Sequence, residues 1–225
     1  MYIFAGYDGN YRADFHQFSF DERDRRWSTI NVKGTTPKAR YRTSAVVYRN
    51  KMLVFGGHDG AKHLNDFYEF NFDNLVWTLL QTNNKPPPSP RDSHIAVIHG
   101  SNMFLFGGST VTARNDLFKY SIEDQSWEEI LSSSSVGSKG ANGSNSPPCP
   151  RFCHTGAVYN SSVYIFGGYD GQHRLNDFRS FKLAEEINVT IPSSSLIEDL
   201  RQSLNDGAFF DVTFIVEGHR VHAHK

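Results

Sequence analysis

Three groups of residues carry side chains that could do chemistry. Cys149-Pro150-Arg151-Phe152-Cys153-His154 sets two thiols and an imidazole close together, the makings of half a zinc site. His219, His222 and His224 crowd a second stretch, and at strand spacing His222 and His224 share a face. Aspartates at 14, 66, 116 and 177 offer carboxylates for acid–base work. Zinc wants four ligands, and no second cysteine pair exists. Cys153 and His154 also stand where Ser93 and His94 stand one repeat earlier, which points to packing. The aspartates recur once per repeat, and a group present in every repeat is scaffold; they are expected to satisfy backbone donors in turns. No nucleophile with a positioned base stands out. No catalytic residue, metal or cofactor is therefore expected.

The repeat that must position these groups is centred on Met52-Leu53-Val54-Phe55-Gly56-Gly57, followed by Leu64-Asn65-Asp66-Phe67 and Trp77. Copies place glycines at Gly6, Gly57, Gly108 and Gly168 and tryptophans at Trp27, Trp77 and Trp127. A period near 50 residues, with this internal grammar, defines a repeat architecture. Two short apolar runs joined by a polar turn read as a hairpin, and the first apolar pair reads as inner strands. The glycine pairs Gly56-Gly57, Gly107-Gly108 and Gly167-Gly168 end the second run, where positive φ or close backbone approach excludes a Cβ. Neither Lys-Ser, Lys-Thr nor a helix follows them, so they do not cradle phosphate. A third strand with period-2 alternation (Tyr68, Phe70, Phe72) and a fourth bearing the tryptophan complete four strands per unit. The first copy has Ala5 for its first glycine and lacks an opening strand, and the fourth has no tryptophan. Met1 thus falls inside a repeat, and the sequence reads as a fragment. Ser132 to Pro148, rich in Ser, Gly and Asn, is expected to be a flexible insertion between units.

These units resemble kelch repeats: apolar run, Gly-Gly, an aromatic residue seven before Trp (Phe70–Trp77, Tyr120–Trp127), and an Ala-Arg or Pro-Arg step at Arg40, Arg91 and Arg151. The resemblance covers residues 1–186 and implies an all-β fold, a partial kelch β-propeller of four blade units. Residues 187–225 change character. Ser195 with Glu198 fits a capping box, and Leu196, Ile197, Leu200 and Leu204 share a helical face. Phe210 to Val216, a Glu217-Gly218 turn and His219 to Lys225 then read as a strand pair. This order resembles the truncated α/β start of a BTB domain, and implies Asp211 and His224 as core residues of it; His224 then needs no metal.

The composition bounds the function. Net charge is −1, which gives no global field for nucleic acid or anionic lipid. No apolar run is long enough to span a membrane. Two cysteines and no visible signal peptide suggest a reducing compartment, so the expected location is the cytoplasm, with the nucleus as a second choice. The variable loops after each second strand should gather at one rim of a propeller, where loops on a rigid scaffold carry binding. Tyr7, Arg12, Arg42, His58, Arg114, Tyr169 and Arg174 are the candidate partner-binding residues, being of the types that dominate interfaces. Arg40, Arg91 and Arg151 are left open between contacting a partner and bracing neighbouring blades. The resemblance implies a substrate adaptor of a cullin-RING ubiquitin ligase: the rim holds a protein client, and a full-length BTB domain self-associates and docks on cullin 3. The alternative is a kelch scaffold for cytoskeletal or signalling assemblies, without ubiquitin transfer.

Overall fold

A computed structural model describes residues 1–81, 85–131, 148–183, 197, 201–202 and 212–223. The chain divides into two compact units, Met1–Ala184 and Glu185–Lys225.

The first unit is four sheets in sequence, antiparallel throughout except that the short Lys33–Gly34 strand runs parallel to Val76–Leu79 at the edge of the second. The first joins β1 (Tyr2–Tyr7), β2 (Tyr11–Phe18) and β3 (Trp27–Thr29). The second runs β4-β8-β7-β6-β5 across the sheet, from β4 (Lys33–Gly34), β5 (Ser44–Tyr48), β6 (Lys51–His58), β7 (His63–Asn71) and β8 (Val76–Leu79). The third holds β9 (Ile95–His99), β10 (Asn102–Phe106), β11 (Leu117–Ser121) and β12 (Ser126–Leu131); the fourth holds β13 (Thr155–Tyr159), β14 (Ser162–Tyr169) and β15 (Arg174–Lys182). β5, β9 and β13 lie side by side across successive sheets. The four-stranded unit is met in the second and third sheets. The first and fourth show three strands each among the described residues.

In the second and fourth sheets the glycine pair falls near the end of β6 and β14 with an irregular register, between Phe55 and Gly57 and between Phe166 and Gly168, and in the third it directly follows β10. Gly56 and Gly57 adopt φ of 63° and 98°. A Cβ on Gly56 would stand 2.7 Å from the Arg91 carbonyl, and one on Gly57 2.9 Å from the Tyr41 carbonyl. The pair is therefore both a conformational and a steric requirement. Ala5 takes the same left-handed conformation, at φ 62°.

Packing occurs between sheets. Leu53 and Phe55 of β6 with Phe67 of β7 pack on Met103, Leu105, Tyr120 and Trp127 of the third sheet. Met52, Val54, Phe70 and Trp77 face the other way, onto Phe4 and Phe15 of the first. Phe104, Phe106 and Leu117 pack on Val163, Ile165 and Phe181. Strand alternation thus feeds both seams of each inner sheet. Trp77 and Trp127 each point at the preceding sheet. Both are 1% exposed. Trp27, which recurs in step with them, is 50% exposed, because no preceding sheet lies against it among the described residues.

In the second unit β16 (Val212–Val216) and β17 (His219–Ala223) form an antiparallel hairpin through the expected Glu217-Gly218 turn. Of the expected helix, Ile197, Arg201 and Gln202 are helical, and the rest of it lies outside the described residues. Asp211, His224 and most of the Ser132–Pro148 insertion also lie outside them.

Candidate interaction rim

The rim is built on an arginine in each inter-sheet connection. Arg40, Arg91 and Arg151 are fully buried. The backbone of each belongs to one sheet and its side chain to the next. Arg91 N–H bonds the Leu64 carbonyl and its carbonyl accepts from Gly57, both in the second sheet. Its guanidinium grips Asp116 of the third sheet through two bonds of 2.6 and 2.9 Å and donates to the Gly107 carbonyl at 3.0 Å. Arg40 repeats this with Asp66 at 2.6 and 2.8 Å, and Arg151 with Asp177 at 2.7 and 2.9 Å. Such planar, two-pronged pairing suits guanidinium and carboxylate geometry. The three arginines are braces, not rim contacts. The recurrent acids Asp66, Asp116 and Asp177 hold arginines, correcting the expectation that they serve turn amides. Asp14 differs: its carboxylate bonds His16 Nε2 at 2.8 Å. The guanidinium of Arg151, and then that of Arg179, hold the Asp177 carboxyl far below the usual range.

Beside these braces stand two buried imidazoles. Ser44 Oγ lies 2.7 Å from His94 Nε2. The residue corresponding to Ser44 one repeat later is Ile95, so His154 has no hydroxyl there, and neither of its ring nitrogens has a hydrogen-bond partner. Burial, reinforced by the neighbouring arginine, pushes His94 down to about 3 and His154 down to about 4. Both are neutral packing residues. Among the described residues no cluster of His, Cys, Asp or Glu is placed to hold a metal ion.

Above the braces, one residue on, Tyr41, Asp92 and Phe152 bridge to His58, Ser109 and Tyr169. The next positions, Arg42, Ser93 and Cys153, all take left-handed φ of 54–56°. Ser93 N–H bonds the Arg42 carbonyl at 2.9 Å and Cys153 N–H the Ser93 carbonyl at 3.0 Å. A continuous backbone ladder therefore links three sheets beneath the rim. The loops themselves are shaped by aspartates. Asp59 Oδ1 accepts from Ala61 and Lys62 amides, and Asp170 Oδ1 from Gln172 and His173 amides, which lowers both carboxyls. Turn acids with that role are the local reason for the Asp-Gly loops.

On this base the expected residues divide into two patches. Tyr7 is exposed and meets Tyr11 at 5.1 Å and Tyr41 at 5.8 Å, while Tyr11 meets Tyr41 at 5.3 Å. The exposed Arg42 guanidinium lies 4.7 Å over the Tyr41 ring, and His58 sits edge-on to it at 5.8 Å. So Tyr7, Arg42 and His58 come together, through a tyrosine that sequence reasoning did not select. The second patch is a cleft of about 670 Å³ between the third and fourth sheets' loops, lined by Val111, Cys149, Phe152 and Tyr169 among others. Tyr169 meets Phe152 at 5.3 Å. Arg174 borders Tyr169 in an adjoining hollow. Arg12 and Arg114 are engaged within the fold: Arg12 Nε bonds Asp8 at 2.9 Å and Arg114 lies 3.4 Å from Asp116. Tyr41 and Phe152 were missed, though each directly follows a brace arginine, and that position was the available signal.

Comparison with known proteins agrees with this geometry. Residues 1–142 match the KLHDC2/KLHL20/DRC7 Kelch-repeats domain, and residues 150–186 match the Kelch motif. The Drosophila melanogaster Leucine-zipper-like transcriptional regulator 1 homolog is 36% identical over 155 residues, covering 65% of this chain and 15% of its own length. The human Leucine-zipper-like transcriptional regulator 1 is 28% identical over 268 aligned positions, 96% of this chain and 31% of its own length. Kelch domain-containing protein 3 of Bos taurus is 32% identical over 173, with 71% and 41% covered. The chain thus spans less than half of each of these relatives. With a family model covering more than half of the sequence, the chain belongs to the kelch-repeat family.

Proposed function

We propose that this chain is a non-catalytic protein-binding module whose rim holds a client for a cullin-RING ubiquitin ligase. One observation carries the client-binding part: exposed Tyr7, Tyr11 and Arg42 are held by mutual ring contacts above a backbone that buried ion pairs lock. Rigid aromatic and arginine side chains lose little entropy on binding and are frequent anchors. The ligase part rests on the resemblance of residues 187–225 to the start of a BTB domain, with which the β16–β17 hairpin is compatible.

The test is affinity capture from a proteome with the immobilised chain, against a Tyr7→Ala/Arg42→Ala double variant and a Tyr169→Ala variant. Proteins retained by the parent and lost from a rim variant of unchanged thermal stability are the expected result. Retention by every variant would remove the rim from the reading. Co-precipitation of cullin 3 with the longer protein addresses the ligase part separately. Client capture without cullin would leave an interaction scaffold.

A further inference from the structure

Two rim patches stand over seams with a sheet on either side, and they differ in what they leave unbonded. Tyr41 and Arg42 follow the brace between the first and second sheets. The Arg42 guanidinium lies 4.7 Å over the Tyr41 ring and has no carboxylate partner among the described residues. Stacking of this kind leaves N–H groups free to take a carboxylate. His58 Nδ1 accepts from the Gly60 amide at 2.9 Å, so the ring proton sits on Nε2 and offers a second donor. The acids nearby are already engaged, Asp8 by Arg12 Nε at 2.9 Å and Asp59 Oδ1 by the Ala61 and Lys62 amides at 2.9 Å. Arg42 also keeps its side chain at a φ of 54°, where glycine would be unstrained, and such strain gathers at functional positions.

The cleft of about 670 Å³ between the third and fourth sheets' loops is the reverse case. Its lining holds a thiol, a carboxylate and a phenol, and each is already bonded. Cys149 Sγ accepts from Arg151 Nη2 at 3.1 Å, and Asp170 Oδ1 from the Gln172 and His173 amides at 2.7 and 2.6 Å. The Tyr169 hydroxyl donates to the Gly171 carbonyl at 3.0 Å. Pro150, Phe152 and Val111 supply apolar wall, and Val111 is 94% exposed. Among the described residues no lysine or arginine lines this cleft. It favours an apolar side chain and gives a charged one nothing to bond.

We infer that the two patches read one extended segment of a client, with an acidic side chain on Arg42 and an apolar side chain in the cleft about three residues away. This client chemistry rests on the rim's holding a protein partner at all. The spacing comes from the ladder beneath. Ser93 N–H bonds the Arg42 carbonyl at 2.9 Å and Cys153 N–H the Ser93 carbonyl at 3.0 Å, so Cys153 stands two rungs from Arg42. At strand spacing that is about 10 Å, the reach of about three extended residues. Phe152, the neighbour of Cys153, walls the cleft. Donors at one end and apolar wall at the other fix which end of the segment lies where.

Selection from a displayed library of random linear peptides on the immobilised 225-residue chain tests this. The expected result is enrichment of Asp or Glu about three residues from Leu, Ile, Val or Phe. A synthetic peptide of the enriched sequence should bind the Arg42→Glu chain about tenfold more weakly than the parent, and a version with lysine in place of the acid should recover on that variant. Val111→Glu should weaken the original peptide while leaving its need for the acid. Both side chains are exposed, so the thermal midpoints stay at the parent's value, which separates lost binding from lost folding. Enrichment without an acid, equal binding by Arg42→Glu, or no enrichment at all overturns the inference. Peptides that Tyr169→Ala loses but that show no acid–apolar pattern overturn it alone and leave the rim as the client site. Peptides kept by every rim variant remove the rim as well.

Discussion

At the scale of single residues, the buried ion pairs differ in what their loss costs. Arg91 and Asp116 are 0% and 2% exposed, whereas Asp66, the partner of Arg40, is 29% exposed. Removing one member of a fully buried pair strands the other without water, at a cost of about 3–5 kcal/mol. Asp116→Ala is therefore expected to lower urea-unfolding stability by that amount. Asp66→Ala should lower it less, since water can reach the abandoned guanidinium. Histidines supply a second residue-scale prediction. His94 and His154 have folded-state pKa values of about 3 and about 4, below the unfolded value of about 6.5. The unfolded chain binds their protons first as pH falls, so their stabilising contribution is complete above about pH 6.5 and is lost below it. Each then costs on the order of 1 kcal/mol per pH unit until its folded pKa is reached. His154→Phe keeps a ring against Phe106 and removes two nitrogens that have no hydrogen-bond partners. Melting temperature measured from pH 7 to 4.5 should fall less steeply in this variant than in the parent, with no loss at pH 7.

At the scale of the strand and sheet, the tryptophans test which side of a blade is covered. Trp77→Ala empties a site bounded by Phe4, Phe15, Tyr68 and Phe70, and about 3–5 kcal/mol of stability is expected to go with it. Trp27→Ala, at an equivalent ladder position, should cost less than about 1 kcal/mol, because half of that ring already meets water. Chemical denaturation of both variants checks the contrast. The strands were legible because glycine, aromatic and tryptophan positions recur in step, and hydrophobic alternation follows the pleat. The covered side of Trp27 was not, because a repeat fixes a residue's position within its sheet and says nothing about a neighbouring sheet. The braces were half legible. Arg40–Asp66, Arg91–Asp116 and Arg151–Asp177 are separated by 26, 25 and 26 residues, an offset that varies by one residue between two recurring charges. Reading the two recurrences separately gave the acids to turns and left the arginines undecided. The patch around Tyr41 was hidden for another reason: it joins a connection to loops of two different sheets, and no local pattern encodes that meeting.

At the scale of the molecule, the same arginines decide whether four sheets unfold as one. Repeat proteins contact mainly their neighbours, so cooperativity depends on the strength of each seam against the stability of each unit. Every seam here has a ring cluster and an arginine that takes backbone bonds from one sheet and carboxylate bonds from the next. Arg91 sits at the middle seam, with two sheets on either side. Arg91→Met keeps bulk but loses the bonds to Asp116 and to the Gly107 carbonyl. It also leaves Asp116 buried with only the longer Arg114 contact. The seam then drops below its neighbours, and the array should unfold as two halves. Denaturant titration should show a lower slope or two steps, and hydrogen exchange should quicken in β9 and β10 before β1 and β2. Arg40→Met weakens a terminal seam, so only the first sheet should fray, with β9 and β10 protected as in the parent. If both variants instead unfold in one transition of unchanged slope, the rings alone set the cooperativity, and the arginines serve only to orient the residues that follow them on the rim.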